Sequence, residues 1–205
     1  MITLHHLRIG RSIFTVWLLE EVGVDYQLKV YHRDPETMRA PDSLRDIHPL
    51  GKSPVIEADG LVLSESGAIT SYVLERFDTD HKYRPSSQDI DAWAIYNQWL
   101  SYAEGSVFAP LLLKMLILRS GVDHPVITPF SDAEIKLHFG HITQQLGDNP
   151  FILGDSLSGA DFGITYMISM GERLGVLDDY PNLAAYLKRM TNRDAFKRAI
   201  EKAVE

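Results

Sequence analysis

Apolar residues in the first third of the chain change their spacing twice. Short segments at residues 2–7 and 26–31 predict strands, whereas the run from about Ser12 to a C-cap at Gly23 has helical spacing. A strand, a helix and a second strand in this order predict a parallel pair joined by a right-handed crossover. We therefore expect the chain to begin with a βαβ unit.

A second pattern covers residues 48–77, HPLGKSPVIEADGLVLSESGAITSYVLERF. Asp59-Gly60 is a dipeptide favoured in two-residue hairpin loops, and it separates two short apolar segments. Apolar residues after Ser66 recur at helical spacing, so a helix is expected to begin there. The first 77 residues thus predict βαβ followed by ββα, which resembles a thioredoxin fold.

The remaining chain shows no convincing strand pattern. Residues 78–88 are polar, contain Pro85 and lack apolar periodicity, which is typical of a linker. Helices are predicted over 90–119, broken near Gly105 and Pro110, over 131–146 after a loop containing Pro125 and Pro129, over 162–174, from Pro181 and from Asp194. The predicted organisation is an α/β thioredoxin-like domain at 1–78, a linker at 79–87 and an all-α domain at 88–205.

Composition narrows the possible functions. The 205 residues carry a net charge of −8 without a basic cluster, which argues against nucleic-acid binding. There are no cysteines, so neither a disulfide nor a protein thiol can take part, and no metal site is expected. No uninterrupted apolar run approaches the roughly 20 residues of a membrane span, and the first residues lack a signal-peptide pattern. A cytoplasmic protein without membrane contact is the expectation.

The chemistry of residues 53–66 suits a small zwitterionic ligand. Pro54 has no backbone donor, and its bond to Ser53 is a candidate cis peptide, which would let the backbone of Val55 pair with an extended ligand. A helix that begins near Ser66 offers N–H groups and a hydroxyl to a carboxylate, while Glu65 can accept an ammonium group. The alternative is that these residues merely cap the helix.

These motifs together resemble the cytosolic glutathione transferases over the whole chain. The resemblance lies in HPLGKSPVIEADG and LSESGAI, in WLLEEVGV at 17–24, in EGS at 104–106, and in the S-x-x-D capping box at Ser158 and Asp161. The chain is most similar to the bacterial and fungal hydroxyl-type branch, whose members begin with a similar His-His-Leu strand and Arg-Ser turn.

The resemblance implies a glutathione site and residue roles within it. Pro54 would be the family's cis-proline, and the backbone of Val55 would pair with the cysteinyl part of glutathione. Glu65 and Ser66 would bind the γ-glutamyl ammonium and carboxylate, and Lys52 would lie near the glycine carboxylate. The implied glutathione-binding residues are Lys52, Ser53, Pro54, Val55, Glu65 and Ser66.

The chain departs from the family pattern where the thiol should be activated. The position of the family's activating Ser or Cys corresponds to Gly10, and an arginine usual four residues later is replaced by Phe14. Ser12 is the nearest hydroxyl and Arg11 the nearest cation, so these are the catalytic candidates. Backbone amides exposed by Gly10 are a third possibility, and Ser12 could instead only cap the helix.

The resemblance implies a glutathione S-transferase that adds the thiol to a hydrophobic electrophile in a detoxification reaction, with reduction of organic hydroperoxides as a possible side activity. It also implies a homodimer, with glutathione as co-substrate. Candidate residues of the electrophile pocket are Arg8, Tyr102, Phe108 and Met115. The alternative is a glutathione-binding or protein-interaction module that kept the fold and lost the chemistry.

Overall fold

A computed structural model describes residues 1–204 as two compact units, one formed by residues 1–80 together with the segment from Thr191 onward, the other by residues 81–190. The first unit contains a four-stranded sheet. Its elements are β1 (Ile2–Leu7), α1 (Ser12–Val22), β2 (Tyr26–Tyr31), a short 3-10 helix (Asp42–Leu44), β3 (Val55–Ala58), β4 (Leu61–Ser64), α2 (Ser66–Phe77) and α8 (Asp194–Ala203).

The strand order is β2-β1-β3-β4. β1 and β2 are parallel in the register Ile2 to Tyr26, and the other two pairs are antiparallel. The β3–β4 hairpin turns at Asp59 and Gly60, whose φ values of 51° and 87° both lie in the left-handed region that the Asp-Gly dipeptide favours. The predicted βαβ and ββα order is confirmed, and it places the carboxyl ends of β1 and β2 at the same edge of the sheet.

Helix α1 forms the core of the first unit. Val16, Trp17, Leu18 and Leu19 are completely buried, and the helix packs against β1, α2 and α8. Because nearly every residue of α1 is buried, the helix lacks a polar face. The predicted start at Ser12 and the C-cap at Gly23 are both found, with Gly23 at φ 78°.

Helix α8 differs from the sequence prediction, which assigned it to the all-α domain. It packs on α1, where the Phe196 ring lies 5.4 Å from that of Trp17 and 5.9 Å from that of Phe14. Glu20 of α1 accepts hydrogen bonds from Arg198 at 3.1 Å and from Lys202 at 2.5 Å. The first unit is therefore discontinuous along the chain.

The second unit is all-α. Its elements are α3 (Ile90–Tyr102), a π-helical segment (Ala103–Val107), α4 (Phe108–Ser120), α5 (Ile127–Leu146), α6 (Gly159–Arg173), a 3-10 helix (Leu177–Asp179) and α7 (Pro181–Thr191). The break predicted near Gly105 is the π-helical segment. The predicted loop around Pro129 is wrong, because α5 begins at Ile127 and includes this proline in its first turn, where the backbone N–H is not needed.

Helix α6 is the buried centre of the second unit, as its continuous apolar sequence predicts. The capping box at its start is present: the Asp161 carboxylate accepts the backbone N–H and the hydroxyl of Ser158, each at 2.8 Å. The same carboxylate accepts the amide of Ile152 at 2.9 Å and the hydroxyl of Tyr186 at 2.7 Å. This completely buried carboxylate thus ties the preceding loop and α7 to α6.

The run from Ile90 to Ser120 is helical throughout, and its 31 residues are long and apolar enough to cross a membrane by length and composition. The sequence alone did not indicate such a helix, because none of its uninterrupted apolar runs approaches the roughly 20 residues of a membrane span. The run contains the π-helical segment and packs on α5 and α6. A single helix of this kind is weak evidence for a membrane protein, because helices of soluble bundles pass the same test.

Candidate functional site

The segment before β3 is fixed to the end of β1. The hydroxyl of Ser53 donates to the carbonyl of His5 at 2.8 Å and accepts the amide of Leu7 at 3.1 Å. The Ser53–Pro54 peptide bond is cis, as the sequence suggested. Val55 follows as the first residue of β3, opposite His5 of β1 and Ser64 of β4. The predicted binding segment therefore lies beside the turn that follows β1.

The start of α2 has an orphaned hydroxyl. The Oγ atom of Ser66 is buried and has no hydrogen-bond partner within residues 1–204. A buried hydroxyl without a partner costs about 1–3 kcal/mol, so an acceptor or donor from a ligand would stabilise it. The helix N-terminus at the same place favours an anionic ligand group.

Glu65 precedes this hydroxyl in an unusual backbone conformation. Its φ of 71° and ψ of 119° are rare for a residue with a side chain, and such a conformation costs about 1–3 kcal/mol. The side chain is exposed and, over the described part of the chain, its carboxylate makes no ion pair. Its carboxylate is thus available to an ammonium group, while its carbonyl accepts the amide of Ile69 at 2.9 Å.

Lys52 is exposed at the entrance to the same segment. The preceding loop is held by His48, whose ring lies 3.3 Å from the hydroxyl of Ser64 and whose carbonyl accepts the amide of Gly51 at 2.8 Å. The loop thereby connects to the strand that leads into α2. The ammonium group of Lys52 is a suitable partner for a second carboxylate of the ligand, and this role stays a prediction.

The turn after β1 does not expose the expected hydroxyl. Ser12 is 1% exposed, and its Oγ atom lies 2.8 Å from Nδ1 of His6. The same oxygen accepts the amide of Leu7 and lies within donating distance of the Leu7 carbonyl, both at 3.2 Å. This geometry favours the structural alternative for Ser12 over direct contact with a thiol.

Both predicted cations lie in this turn. Arg11 occupies the N-cap position of α1 and is partly exposed. Arg8 places Nη1 3.5 Å from Nδ1 of His32, while its buried Nε has no hydrogen-bond partner within the described residues. Two positive charges therefore flank Gly10.

A third cation at this turn was missed by the sequence analysis. Arg33, two residues beyond β2, donates from Nε to the carbonyl of Arg8 at 3.0 Å and from Nη2 to that of Ile9 at 3.0 Å. Its distance of 25 residues from Arg8 hides this contact from any local motif. The available signal was topological, because residues that follow two parallel strands meet at the same sheet edge.

His5 lies in a hydrogen-bonded row across the sheet. Its Nε2 donates to the Glu57 carboxylate at 2.8 Å, since a carboxylate only accepts, and Nδ1 then accepts the hydroxyl of Tyr31 at 2.9 Å. Burial lowers the pKa of His5, although Glu57 acts in the opposite direction. Both His5 and His6 are completely buried. A structural role fits both.

The second unit holds three of the residues predicted to contact an electrophile. Tyr102 donates to Nδ1 of His138 at 2.6 Å, and His138 lies 3.5 Å from the carboxylate of Glu134. Burial and the charge of Glu134 raise the pKa of Tyr102 to about 12, so its hydroxyl remains a hydrogen-bond donor at neutral pH. Phe108 and Met115 lie on α4, both partly exposed.

No group of three or more potential ligand residues is placed to hold a metal ion within the part of the chain that the structure describes. The polar atoms of the first unit are the orphaned Ser66 hydroxyl, the Glu65 carboxylate and the cations around Gly10, and these suit a ligand that carries an ammonium group, a carboxylate and an acidic thiol.

Comparison with known proteins agrees with this architecture. The family model for the glutathione S-transferase N-terminal domain matches residues 1–75, and the model for the glutathione S-transferase C-terminal domain matches residues 126–203. The two matches cover most of the first unit and the second half of the helical one.

Individual relatives match over nearly the whole chain. Glutathione S-transferase 1 of Saccharomyces cerevisiae is 30% identical, over 99% of this chain and 95% of the yeast protein. A solved glutathione S-transferase structure from Actinobacillus pleuropneumoniae is 36% identical with a TM-score of 0.91, over 100% of this chain and 93% of that one. Elongation factor 1-gamma 3 of Oryza sativa is 26% identical, over 88% of this chain and 42% of that protein.

A thioredoxin-like α/β unit followed along the chain by an all-α unit is the architecture of the cytosolic glutathione transferase superfamily, and the predicted fold class is confirmed. Within that class, the chain belongs to the glutathione S-transferase family.

Proposed function

We propose that this protein is a glutathione transferase that binds glutathione, stabilises its thiolate and adds it to a hydrophobic electrophile. The observation that carries the proposal is the start of α2, where the buried Ser66 hydroxyl lacks a partner beside an exposed Glu65 carboxylate. These groups complement the γ-glutamyl carboxylate and ammonium. Lys52, Ser53, Pro54 and Val55 complete the proposed glutathione site.

The reaction requires a thiolate. A thiol with a pKa of about 8.5 is only a few per cent ionised at pH 7, so lowering that pKa by about two units makes the thiolate the major form. The thiol proton leaves to water, and the sulfur lone pair forms a bond to an electrophilic carbon while a halide departs with its bonding electrons. Arg11 and the backbone amides beside Gly10 are the proposed stabilising groups, because Ser12 is occupied by His6 and Leu7.

The direct test measures conjugation of glutathione to an aryl halide and, separately, reduction of cumene hydroperoxide. In the second reaction two glutathione molecules become the disulfide while the hydroperoxide becomes an alcohol and water. We expect conjugation above the uncatalysed rate, and a loss of it in Ser66→Ala but not in Ser71→Ala further along the same helix. Absence of any rate above background in both assays would exclude a transferase.

A second candidate is a non-catalytic glutathione-binding or protein-interaction module. Gly10 and the buried Ser12 favour it, and so does the match to an elongation factor 1-gamma, which is named for another process. Calorimetry with glutathione separates the two functions. Binding without a thiolate absorbance near 240 nm would support the module, and a strong thiolate band would exclude it.

Contacts with the electrophile are proposed for Arg8, Tyr102, Phe108 and Met115. Tyr102 is the most specific of these, because its hydroxyl is held by His138 and its oxygen keeps a lone pair that can accept a hydrogen bond from a polar group of the electrophile. Substitution of each residue singly should raise KM for the electrophile and leave the dissociation constant of glutathione unchanged. Similar effects of Tyr102→Phe on both ligands would contradict this role.

We also propose a homodimer in the cytoplasm that acts in detoxification. Large apolar side chains are exposed on helices of the second unit, among them Trp93 at 43%, Phe130 at 55% and Leu137 at 61%. Exposed side chains of this size are candidates for burial in an interface. Light scattering after gel filtration should give twice the mass of 23.2 kDa, and a monomeric mass at micromolar concentration would contradict the dimer.

A further inference from the structure

Arg33 binds three backbone carbonyls with one guanidinium group. Beyond its contacts with Arg8 and Ile9, its Nη1 donates to the carbonyl of Met38 at 2.9 Å. Its Nε also lies 3.3 Å from the Ile9 carbonyl. The guanidinium thus fixes the β1–α1 turn to the segment that follows β2. A planar, always charged fork of donors makes this geometry specific to arginine.

These contacts determine which way the amides of the turn point. In a planar trans peptide, the C=O of one residue and the N–H of the next point in opposite directions. Because the carbonyl of Ile9 faces Arg33, the N–H of Gly10 points away from it. Ile9 has φ 56°, a left-handed conformation that helps to turn successive amides toward one side. The Gly10 amide has no hydrogen-bond partner in the described residues 1–204.

Sheet order shows what lies on the side away from Arg33. β2 and β3 flank β1 on opposite sides, and Arg33 follows β2. Ser53 and Val55 lie on the β3 side, where Ser53 is hydrogen-bonded to the end of β1. The Gly10 amide therefore points toward the segment that is proposed to bind the cysteinyl part of glutathione.

The same contact explains why residue 10 is glycine. A Cβ atom built on Gly10 would lie 3.1 Å from Nη2 of Arg33 and 3.1 Å from the carbonyl oxygen of Leu7. Both distances are tighter than most real Cβ contacts, so a side chain at this position would require its neighbours to shift by a few tenths of an ångström. Glycine at residue 10 leaves the guanidinium of Arg33 and the carbonyl of Leu7 in their observed positions without such a shift.

We propose that Arg33 is the positioning residue for thiolate stabilisation, resting on the proposed transferase function. By holding the carbonyls of Arg8 and Ile9, it directs the Gly10 amide at the glutathione sulfur, and its own charge adds to the positive potential at the turn. In this step the S–H bond breaks, the proton passes to water, and the sulfur anion accepts the Gly10 N–H. The amide and the cation take the place of the side-chain donor that glycine at residue 10 does not carry.

The test is a titration of bound glutathione by thiolate absorbance near 240 nm, with Arg33→Met as the variant. We expect the pKa of the bound thiol to rise by about one unit, so that tenfold less thiolate is present at a pH well below it. Binding of S-methylglutathione, which has no thiol, should change by less than roughly threefold, because the cradle at α2 is untouched. Arg39→Met, an exposed arginine in the same segment, is the matched control and should titrate as the parent.

A second variant keeps the test valid if Arg33→Met is poorly folded. Gly10→Ala retains the arginine but crowds its guanidinium and the Leu7 carbonyl, so it should raise the thiol pKa in the same direction. The double variant should add little to either single change, since both act through one contact. Additive shifts, or an unchanged titration in an Arg33→Met protein that still binds S-methylglutathione, would overturn the proposal. A parent protein that binds glutathione but gives no thiolate would instead overturn the transferase function itself.

Discussion

At the scale of single residues, the site combines groups that are satisfied within the chain and groups that are left open. Ser12, His5 and His6 have protein partners and are buried. Ser66 is partly buried with an orphaned hydroxyl, and Glu65 is exposed in a strained conformation. Open polar groups of this kind support the proposed ligand site, because a ligand can complete the hydrogen bonds that the fold leaves unmade.

Substitutions at the start of α2 should weaken glutathione binding. Ser66→Ala and Glu65→Gln each remove a hydrogen bond to a charged group, so we expect each to cost about 1–3 kcal/mol. Isothermal titration calorimetry measures the loss, with Ser71→Ala and the exposed Glu36→Gln as controls. Unchanged affinity in both site variants would place the γ-glutamyl group elsewhere.

Ser12→Ala should act mainly on stability. The substitution leaves the amide of Leu7 and the ring of His6 without one buried partner, which we expect to lower the free energy of unfolding by about 1–3 kcal/mol. Urea unfolding gives this change, while the thiolate titration reports on chemistry. A large rise in the thiol pKa of a normally stable Ser12→Ala protein would restore the direct role of the hydroxyl.

At the scale of elements, periodicity predicts most helices and strands, since the apolar faces of β1, α1, α2 and α6 follow their buried positions. Element boundaries at prolines were less predictable, as α5 shows. The contact that fixes the β1–α1 turn was also hidden, because it comes from Arg33, which follows a different strand. A local pattern records which face of a helix is apolar, but it does not record which distant carbonyl an arginine reaches.

The row across β2, β1 and β3 makes the sheet sensitive to pH. Burial lowers the pKa of His5 below its ordinary value of 6.5, so in this range the unfolded chain binds more protons at this residue than the folded one. The contribution of His5 to the free energy of unfolding is thus favourable above pH 6.5, and it is lost as the pH falls below this value. We expect the free energy of unfolding to decrease from pH 7 to pH 5, and to decrease less in His5→Gln.

The control for this measurement is His81→Asn, which changes an exposed histidine in a left-handed conformation that asparagine tolerates. Its stability should follow the pH dependence of the parent. A His5→Gln protein with the same slope as the parent would assign the effect to other groups, such as His138, whose pKa is also lowered by burial.

At the scale of the whole molecule, the contact between α1 and α8 joins positions more than 170 residues apart. Burial alone would raise the pKa of Glu20, but hydrogen bonds from Lys202, Tyr26 and Arg198 outweigh it and lower the pKa. Glu21 is likewise bonded by Arg193 at 2.5 Å. Sequence periodicity predicted α8 but not its packing partner, because two acidic residues on an apolar helix do not identify distant basic ones.

Glu20→Gln should therefore destabilise the first unit. It removes the charge that binds two cationic groups, and we expect a loss of about 1–3 kcal/mol at pH 7. The difference from the parent should shrink as the pH falls below the ordinary pKa of 4.5, because the unfolded parent then binds a proton at this carboxylate while the folded parent, with its lowered pKa, does not. Urea midpoints at pH 7 and pH 4 measure this, with Glu36→Gln as a control that should match the parent at both.

The discontinuous first unit also has a consequence for synthesis on the ribosome. The sheet and α1 are complete by residue 80, yet the surface around Phe14 and Trp17 has no cover until Asp194–Ala203 has been made. At typical elongation rates this delay is on the order of ten seconds. During that interval the nascent chain presents an aromatic surface to its surroundings, so early translation products should be recognised by chaperones that bind exposed apolar segments.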